Sequence, residues 1–313
     1  MRGSKRTIIR ARRGWNLLRA RAGGGSVILL YHRVARPSND PFGLCVSPNH
    51  FADHMEIVAR LARPAALPSL APRRKGEARR SVAVTFDDAY EDVLTEALPV
   101  LERLGIPATV FAVSDVLGES FWWDRMAGIP VAVALGHLRA IGSLTVDPGW
   151  DPKVILGRLH THLLSMPPEE RDQGIQRLLA GTSTGPLPPR TLTSEELRAL
   201  SASGTVEIGG HTRTHPNLAG LGEIEQEAEI REGRQVLEEK LGAPVTSFAY
   251  PFGTFAHFDR TTLRAVERSG FARACTAEPG VVTARTNPFG LPRLWVEDWG
   301  ADEFRRRLSA WLR

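Results

Sequence analysis

The sequence predicts an α/β fold in which a parallel sheet lies under covering helices, either doubly wound or closed as a barrel. Short apolar runs recur along the chain, and longer amphipathic stretches separate them. Gly followed by Pro punctuates the hand-over from helix to strand at Gly105-Ile106-Pro107 and Gly242-Ala243-Pro244. With 313 residues, 42% of them apolar, the chain can bury one large core. A charged fraction of 24% argues against global disorder, and no fixed-period repeat supports a solenoid.

Taken in order, Ser26 to Tyr31 (SVILLY) reads as a buried strand and Pro48 to Leu61 as a helix. Val82 to Phe86 (VAVTF) is the next strand, followed by a helix from Glu91 to Leu104 and a strand from Ala108 to Val113. Later strands fall at Val206 to Gly209 and Thr246 to Tyr250. Helices fall at Ser194 to Ser201, Ile224 to Leu241, Arg260 to Ser269 and Asp302 to Leu312. Thr193-Ser194-Glu195-Glu196 supplies a cap residue and first-turn acids to the first of these helices. The stretch from about 118 to 190 breaks the rhythm with Phe121-Trp122-Trp123-Asp124, a helix around Val154 to Leu164 and a Pro-rich segment from Pro186 to Pro189. It is too long for a plain loop and reads as an insertion within one catalytic domain, 26–313, placed to roof a site.

Residues 1–25 carry Arg2, Lys5, Arg6, Arg10, Arg12, Arg13, Arg19 and Arg21 with no acidic residue, within a net charge of +5. This basic arm fits peripheral contact with an anionic membrane, and it equally fits a solvated terminus. Charges interrupt every apolar run that would make a secretory signal, and no run approaches the length of a membrane span. The expectation is a cytoplasmic protein, at the membrane face if the arm binds there, with no nucleic-acid partner. Cys45 and Cys275 form no CxxC pair and are expected to be free buried thiols.

Three segments carry chemistry. In Thr85-Phe86-Asp87-Asp88, two adjacent carboxylates follow an apolar strand and repel one another unless a cation or shared proton intervenes. The same pair also fits a helix cap. His211-Thr212-Arg213-Thr214-His215 sets two imidazoles four apart after another strand. Pro216 disfavours a helix running through the pair, and no Glu follows His211, so this is not the HExxH arrangement. With the carboxylates, these histidines fit a two-His, one-carboxylate metal site that leaves coordination positions open. Ala249-Tyr250-Pro251-Phe252-Gly253 ends a third strand; it fits an oxyanion-binding turn or a plain strand terminator.

In this order, and each at a strand end, TFDD, HTRTH and AYPFG resemble the first three motifs of the polysaccharide deacetylases, carbohydrate esterase family four. The resemblance covers roughly Ser26 to Glu297 apart from the insertion, and it implies a distorted (β/α) barrel with its site at the C-terminal strand ends. By that resemblance Asp87 is the general base, and Asp88, His211 and His215 ligate a divalent metal. Zinc is the first choice, with cobalt, nickel, iron or manganese open. The Phe252 N–H helps hold the oxyanion, and Tyr250 and Pro251 line the substrate. The family's C-terminal Leu-x-His acid has no counterpart, because no His follows His257. Leu30-Tyr31-His32 resembles instead the permuted members whose N-terminal Tyr-His supplies the acid, which selects His32. Ala249 stands where the family has an Arg that orients the base, and Arg293 is the candidate substitute. Trp122 and Trp123 are candidates for stacking on sugar faces, and core packing fits at least one of them equally. The implied activity is removal of an N-acetyl group from an amino-sugar unit of a glycan, lipid-linked precursor or small glycoside. Deformylation, O-deacetylation and non-catalytic polyanion binding are the alternatives.

Overall fold

The computed structural model describes residues 25–37, 40–70, 80–142, 150–182 and 188–313. The basic arm expected at 1–25 lies outside these residues except for Gly25, as does part of the Pro-rich segment. Among the described residues, no helix is long and apolar enough to cross a membrane.

Among the described residues the strands are β1 (Val27–Tyr31), β2 (Arg33–Val34), β3 (Cys45–Val46), β4 (Arg63–Pro64), β5 (Ser81–Phe86), β6 (Ala108–Ala112), β7 (Val206–Gly210), β8 (Ser247–Ala249), β9 (Arg273–Cys275) and β10 (Leu294–Trp295). Eight of them form one parallel sheet in the order β10-β1-β5-β6-β7-β8-β9, with β4 also paired to β5. The sheet curls into a half-barrel, the distorted (β/α) barrel that the family resemblance implies. A single parallel bridge, Cys275 to Leu291, ties β9 to the segment that runs on into β10. Residues 291–295 therefore touch both edges of the curl.

Both faces of the strands are buried, as a parallel sheet requires, and the two-residue period sorts them. Val27, Leu29, Tyr31, Val82, Val84 and Phe86 belong to the cluster shared with the helices. Ile28, Ala83, Phe111, Ala249 and Cys275 belong to a smaller interior cluster. Gly209 faces that interior, where an added Cβ would lie 2.5 Å from Phe111 Cδ1, so the narrow curl excludes any larger residue. Continuing the alternation by one or two steps puts His32, Asp87 and His211 on the interior face at the C-terminal rim.

The covering helices include α1 (Pro48–Leu61) and α2 (Leu98–Leu104), the latter preceded by a π-helical turn at Val93–Ala97. The sequence predicts one continuous helix there. Pro99 cannot donate to the carbonyl four residues back, so the preceding turn is widened. Between β6 and the later core lie α3 (Trp122–Ala127), α4 (Val131–Ala140), α5 (Pro152–Leu164) and α6 (Pro168–Leu179), which share their own apolar cluster with Tyr90 and Val113. The remaining helices are α7 (Ser194–Ala202), α8 (Glu223–Leu241), α9 (Arg260–Arg268) and α10 (Ala301–Trp311). The capping box of Thr193 and Glu196 is formed, and Gly105 and Gly242 end their helices in the left-handed conformation. Cys45 and Cys275 are buried free thiols.

Candidate active site

Asp87 extends the β1–β5 ladder by one residue, its N–H donating to the Tyr31 carbonyl at 3.0 Å. Its carboxylate is gripped by Arg293, with Nη1 to Oδ1 and Nη2 to Oδ2 both at 2.7 Å. Arg293 is 0% exposed and also donates through Nε to the Thr276 carbonyl at 2.9 Å. Burial raises the Asp87 pKa, but the guanidinium outweighs it and brings the carboxyl down to about 2. Arg293 reaches this carboxylate from the barrel seam. The backbone of Ala249 takes part, its carbonyl accepting from His211 Nδ1 at 2.7 Å. That bond fixes the tautomer and leaves the His211 Nε2 lone pair free.

Asp88, His211 and His215 are buried, and one ligand atom from each lies within 4.8 Å of the others. Asp88 Oδ1 is 3.6 Å from His211 Nε2 and 3.5 Å from His215 Nε2, yet it has no hydrogen-bond partner among the described residues. Those separations are too long for a good hydrogen bond. Donors about 2.1 Å from a shared tetrahedral ion stand about 3.4 Å apart, so the donor set fits a divalent cation. Without one the charges are strained. Burial, then the carboxylates of Asp87 and Asp124, push the Asp88 pKa well above its usual range. Burial lowers the pKa of both imidazoles. His215 Nδ1 is buried without a hydrogen-bond partner among the described residues, and aromatic rings hold this imidazole instead: Trp123 and Phe252 at 4.8 Å, Phe121 at 5.7 Å.

Backbone strain marks the same loops. Among the described residues, the non-Gly positions with positive φ are Asp88 (70°), Ala89 (51°), Thr212 (68°), His215 (61°) and Phe252 (59°), all in or beside the three motifs. Such conformations cost about 1–3 kcal/mol each and persist where the surroundings over-determine them.

His32 follows β1 as Asp87 follows β5, so the two stand side by side at the rim. Burial lowers the His32 pKa to about 4, while the Asp87 carboxylate opposes the fall. Its ring leans on Trp295 at 4.5 Å. Trp295 is 37% exposed and is an aromatic at the rim that motif reading misses, although its place two residues after Arg293 offered a signal. The Phe252 N–H meets no protein acceptor among the described residues.

Other expected contacts are corrected by the packing. Tyr250 is fully buried, stacked on Phe258 at 4.2 Å with its hydroxyl donated to the Phe289 carbonyl, and Pro251 is buried beside it. Neither presents a surface to a sugar. Trp122 and Trp123 are 6% and 5% exposed and carry no free ring face. Trp123 is a wall of the His215 box, its indole N–H donating to Tyr90 Oη at 3.0 Å, and Tyr90 donates on to Asp124 at 2.7 Å. Asp298 accepts from the Ser47 N–H and hydroxyl at the start of α1, a structural task.

Fold and site define a βα half-barrel with a buried Asp-His-His donor set and an Arg-held carboxylate at its C-terminal rim. The polysaccharide deacetylase family model matches residues 74–274, and the chain belongs to that family. Membership makes it a hydrolase of the carbohydrate deacetylase class, with an acetylated sugar as substrate class. YxkH of Bacillus subtilis (strain 168), named as a polysaccharide deacetylase, is 21% identical over 273 residues, 86% of this chain and 70% of YxkH. IcaB from Ammonifex degensii superposes with a TM-score of 0.62 at 20% identity, over 93% of this chain and 98% of that one. The Streptococcus pyogenes deacetylase PplD, solved in complex with acetate, gives 0.61 at 16% identity, over 93% and 100%. At these identities the structural likeness speaks to the fold alone.

Proposed function

We propose that this protein is a metal-dependent N-deacetylase acting on an amino-sugar unit, of the permuted type in which an N-terminal His supplies the acid. The observation that carries the reading is the juxtaposition of a cation-ready Asp88-His211-His215 set with a carboxylate, Asp87, held ionised by a buried guanidinium. Asp87 acts as the base and takes a proton from the attacking water. Arg293 keeps it charged and aimed but makes it a weak base. When bound by Asp88, His211 and His215, a divalent ion, zinc foremost, supplies what such a base lacks by acidifying water and polarising the acetyl carbonyl. The Phe252 N–H donates to the oxyanion as it develops. The proton that Asp87 takes from the water passes to the neighbouring His32, neutral at rest, and His32 hands it on to the departing amine, which cannot leave as an anion.

The test is hydrolysis of acetylated amino sugars by purified protein, with acetate, formate, free amine and free hydroxyl quantified separately. Acetate and amine released one to one, abolished by chelation and in Asp87→Asn, is the expected result. Formate, or hydroxyl without amine, converts the reading to the deformylase or O-deacetylase alternative. Undiminished activity in Asp88→Ala overturns the metal assignment.

A further inference from the structure

Two imidazoles outside the metal set converge on Phe252. His160 comes from α5 of the helical insertion and His257 from the loop after the third motif, 97 residues later in the sequence. The His257 ring is 5.0 Å from the Phe252 ring and the His160 ring 6.5 Å from it. Phe252 in turn lies 4.8 Å from His215, so the pair stands one phenyl ring beyond the metal donors. His160 stacks on Trp122 at 4.8 Å and leans on Phe42 at 5.1 Å, which fixes its plane. His257 is held through Nδ1, which shares a 2.8 Å hydrogen bond with the Thr254 hydroxyl.

Both rings are only half-buried. Neither nitrogen of His160, nor Nε2 of His257, has a hydrogen-bond partner among the described residues, and none of the three is sealed from solvent. Burial and then the neighbouring His257 bring the His160 pKa down to about 4, and burial lowers that of His257. Each is therefore neutral near pH 7, with one N–H donor and one bare nitrogen acceptor. Rigid, uncharged groups of mixed donor and acceptor character over an aromatic floor suit a ligand whose hydroxyls both give and accept hydrogen bonds. The two imidazoles themselves offer no charge to a phosphate or carboxylate; the nearby Arg171 is held over the Trp122 ring.

We infer that His160 and His257 form a sugar subsite that binds hydroxyl groups of the substrate beyond the acetamide held at the metal donors. Their aromatic surroundings, Phe252 and Phe42, receive the C–H faces of the same ring. The subsite gives the helical insertion a direct part in substrate selection. It deepens the reading of the site as a sugar deacetylase and rests on it.

The experiment compares two acetyl donors on wild type and on His160→Phe, His257→Phe and the double variant. One is a β-linked N-acetylhexosamine oligomer; the other is 4-nitrophenyl acetate, which has no sugar. Phe keeps the ring packing and removes the nitrogens, and metal content is read on every sample. The expected result is a fall of about five- to tenfold per imidazole in the kcat/KM ratio of oligomer over aryl ester, carried by KM. Partial recovery is expected in His160→Gln and His257→Gln, which restore a donor and an acceptor. An unchanged ratio in the double variant overturns the subsite. Calorimetric titration of the fully deacetylated oligomer separates this proposal from the assigned activity. Binding weakened in the variants, with no acetate released by wild type, supports the subsite and sinks the deacetylase reading; acetate release with unaltered binding does the opposite.

Discussion

Arg293 and Asp87 form a buried ion pair whose value is conditional on both members being present. Removing one partner of such a pair costs about 3–5 kcal/mol, because the other charge is left buried and alone. Arg293→Met is expected to lose about that much, measured by urea unfolding, and to lose activity with it. Asp87→Asn in the same background removes the stranded charge and should recover most of the stability but none of the activity. A double variant no more stable than Arg293→Met would show that packing, not charge, is the guanidinium's contribution. His54 offers a second single-residue test, remote from the donor set. It is 0% exposed, with Nε2 at 2.7 Å from the Trp299 carbonyl, Nδ1 at 3.3 Å from Tyr31 Oη, and a ring stacked on Phe304. Burial lowers its pKa from 6.5 to about 4, aided by His50 and opposed by the Trp299 carbonyl, Asp298 and Asp53. The unfolded chain therefore binds the proton first. The stability contribution is complete above pH 6.5 and is lost as pH falls from there to about 4, by up to about 3 kcal/mol. His54→Gln, which does not titrate, should show a shallower decline across that window in denaturant titrations. An identical decline would refute the assignment.

The loop that bears His211 and His215 is seated on α8. At Gly233 of that helix an added Cβ would stand 2.7 Å from the Thr212 carbonyl carbon and 2.8 Å from the Arg213 nitrogen. Two effects oppose each other in Gly233→Ala. Helix propensity favours Ala by about 1 kcal/mol, whereas overpacking against fixed backbone costs about 1–3 kcal/mol. The clash involves main chain that cannot rotate away, so the variant should be less stable than wild type and bind metal more weakly. A more stable Gly233→Ala would mean the loop yields freely. The same scale explains what the sequence could show. Strands of five or six residues such as Val27–Tyr31 and Ser81–Phe86 were legible because both buried faces make unbroken apolar runs. Arg273–Cys275 and Leu294–Trp295 were not, since two or three residues set no period. The motif residues are legible as strand-end punctuation, and Arg293 is singled out only because the family resemblance leaves a gap at Ala249. In the insertion, Pro130, Pro152 and Pro168 at helix starts were available signals, yet only the helix near Val154 was read. Trp122 and Trp123 fit sugar stacking and core packing alike in the sequence, because an aromatic pair looks the same in a core and at a platform. His160 and His257 went unseen because their meeting is purely tertiary.

At the scale of the whole molecule, a metal held by the proposed donor set would couple folding to binding. Asp88, His211 and His215 are drawn from strand ends more than a hundred residues apart, so an ion bound there stabilises only the folded chain. A free ion at about a hundred times its dissociation constant adds about 2.7 kcal/mol, which for a chain of 313 residues raises Tm by roughly 4 °C. Asp88 makes the two states respond in opposite directions. With the ion absent its carboxyl is buried, crowded by Asp87 and Asp124, and unpartnered at Oδ1 among the described residues; deleting it should leave the chelated protein as stable as chelated wild type, or more so. With the ion present the same deletion removes a ligand and should abolish the gain. Thermal unfolding of wild type and Asp88→Ala, each with zinc and with chelator, therefore gives curves that cross. Equal zinc stabilisation in both proteins, or none in either, would place the cation elsewhere and leave the buried carboxylate unexplained.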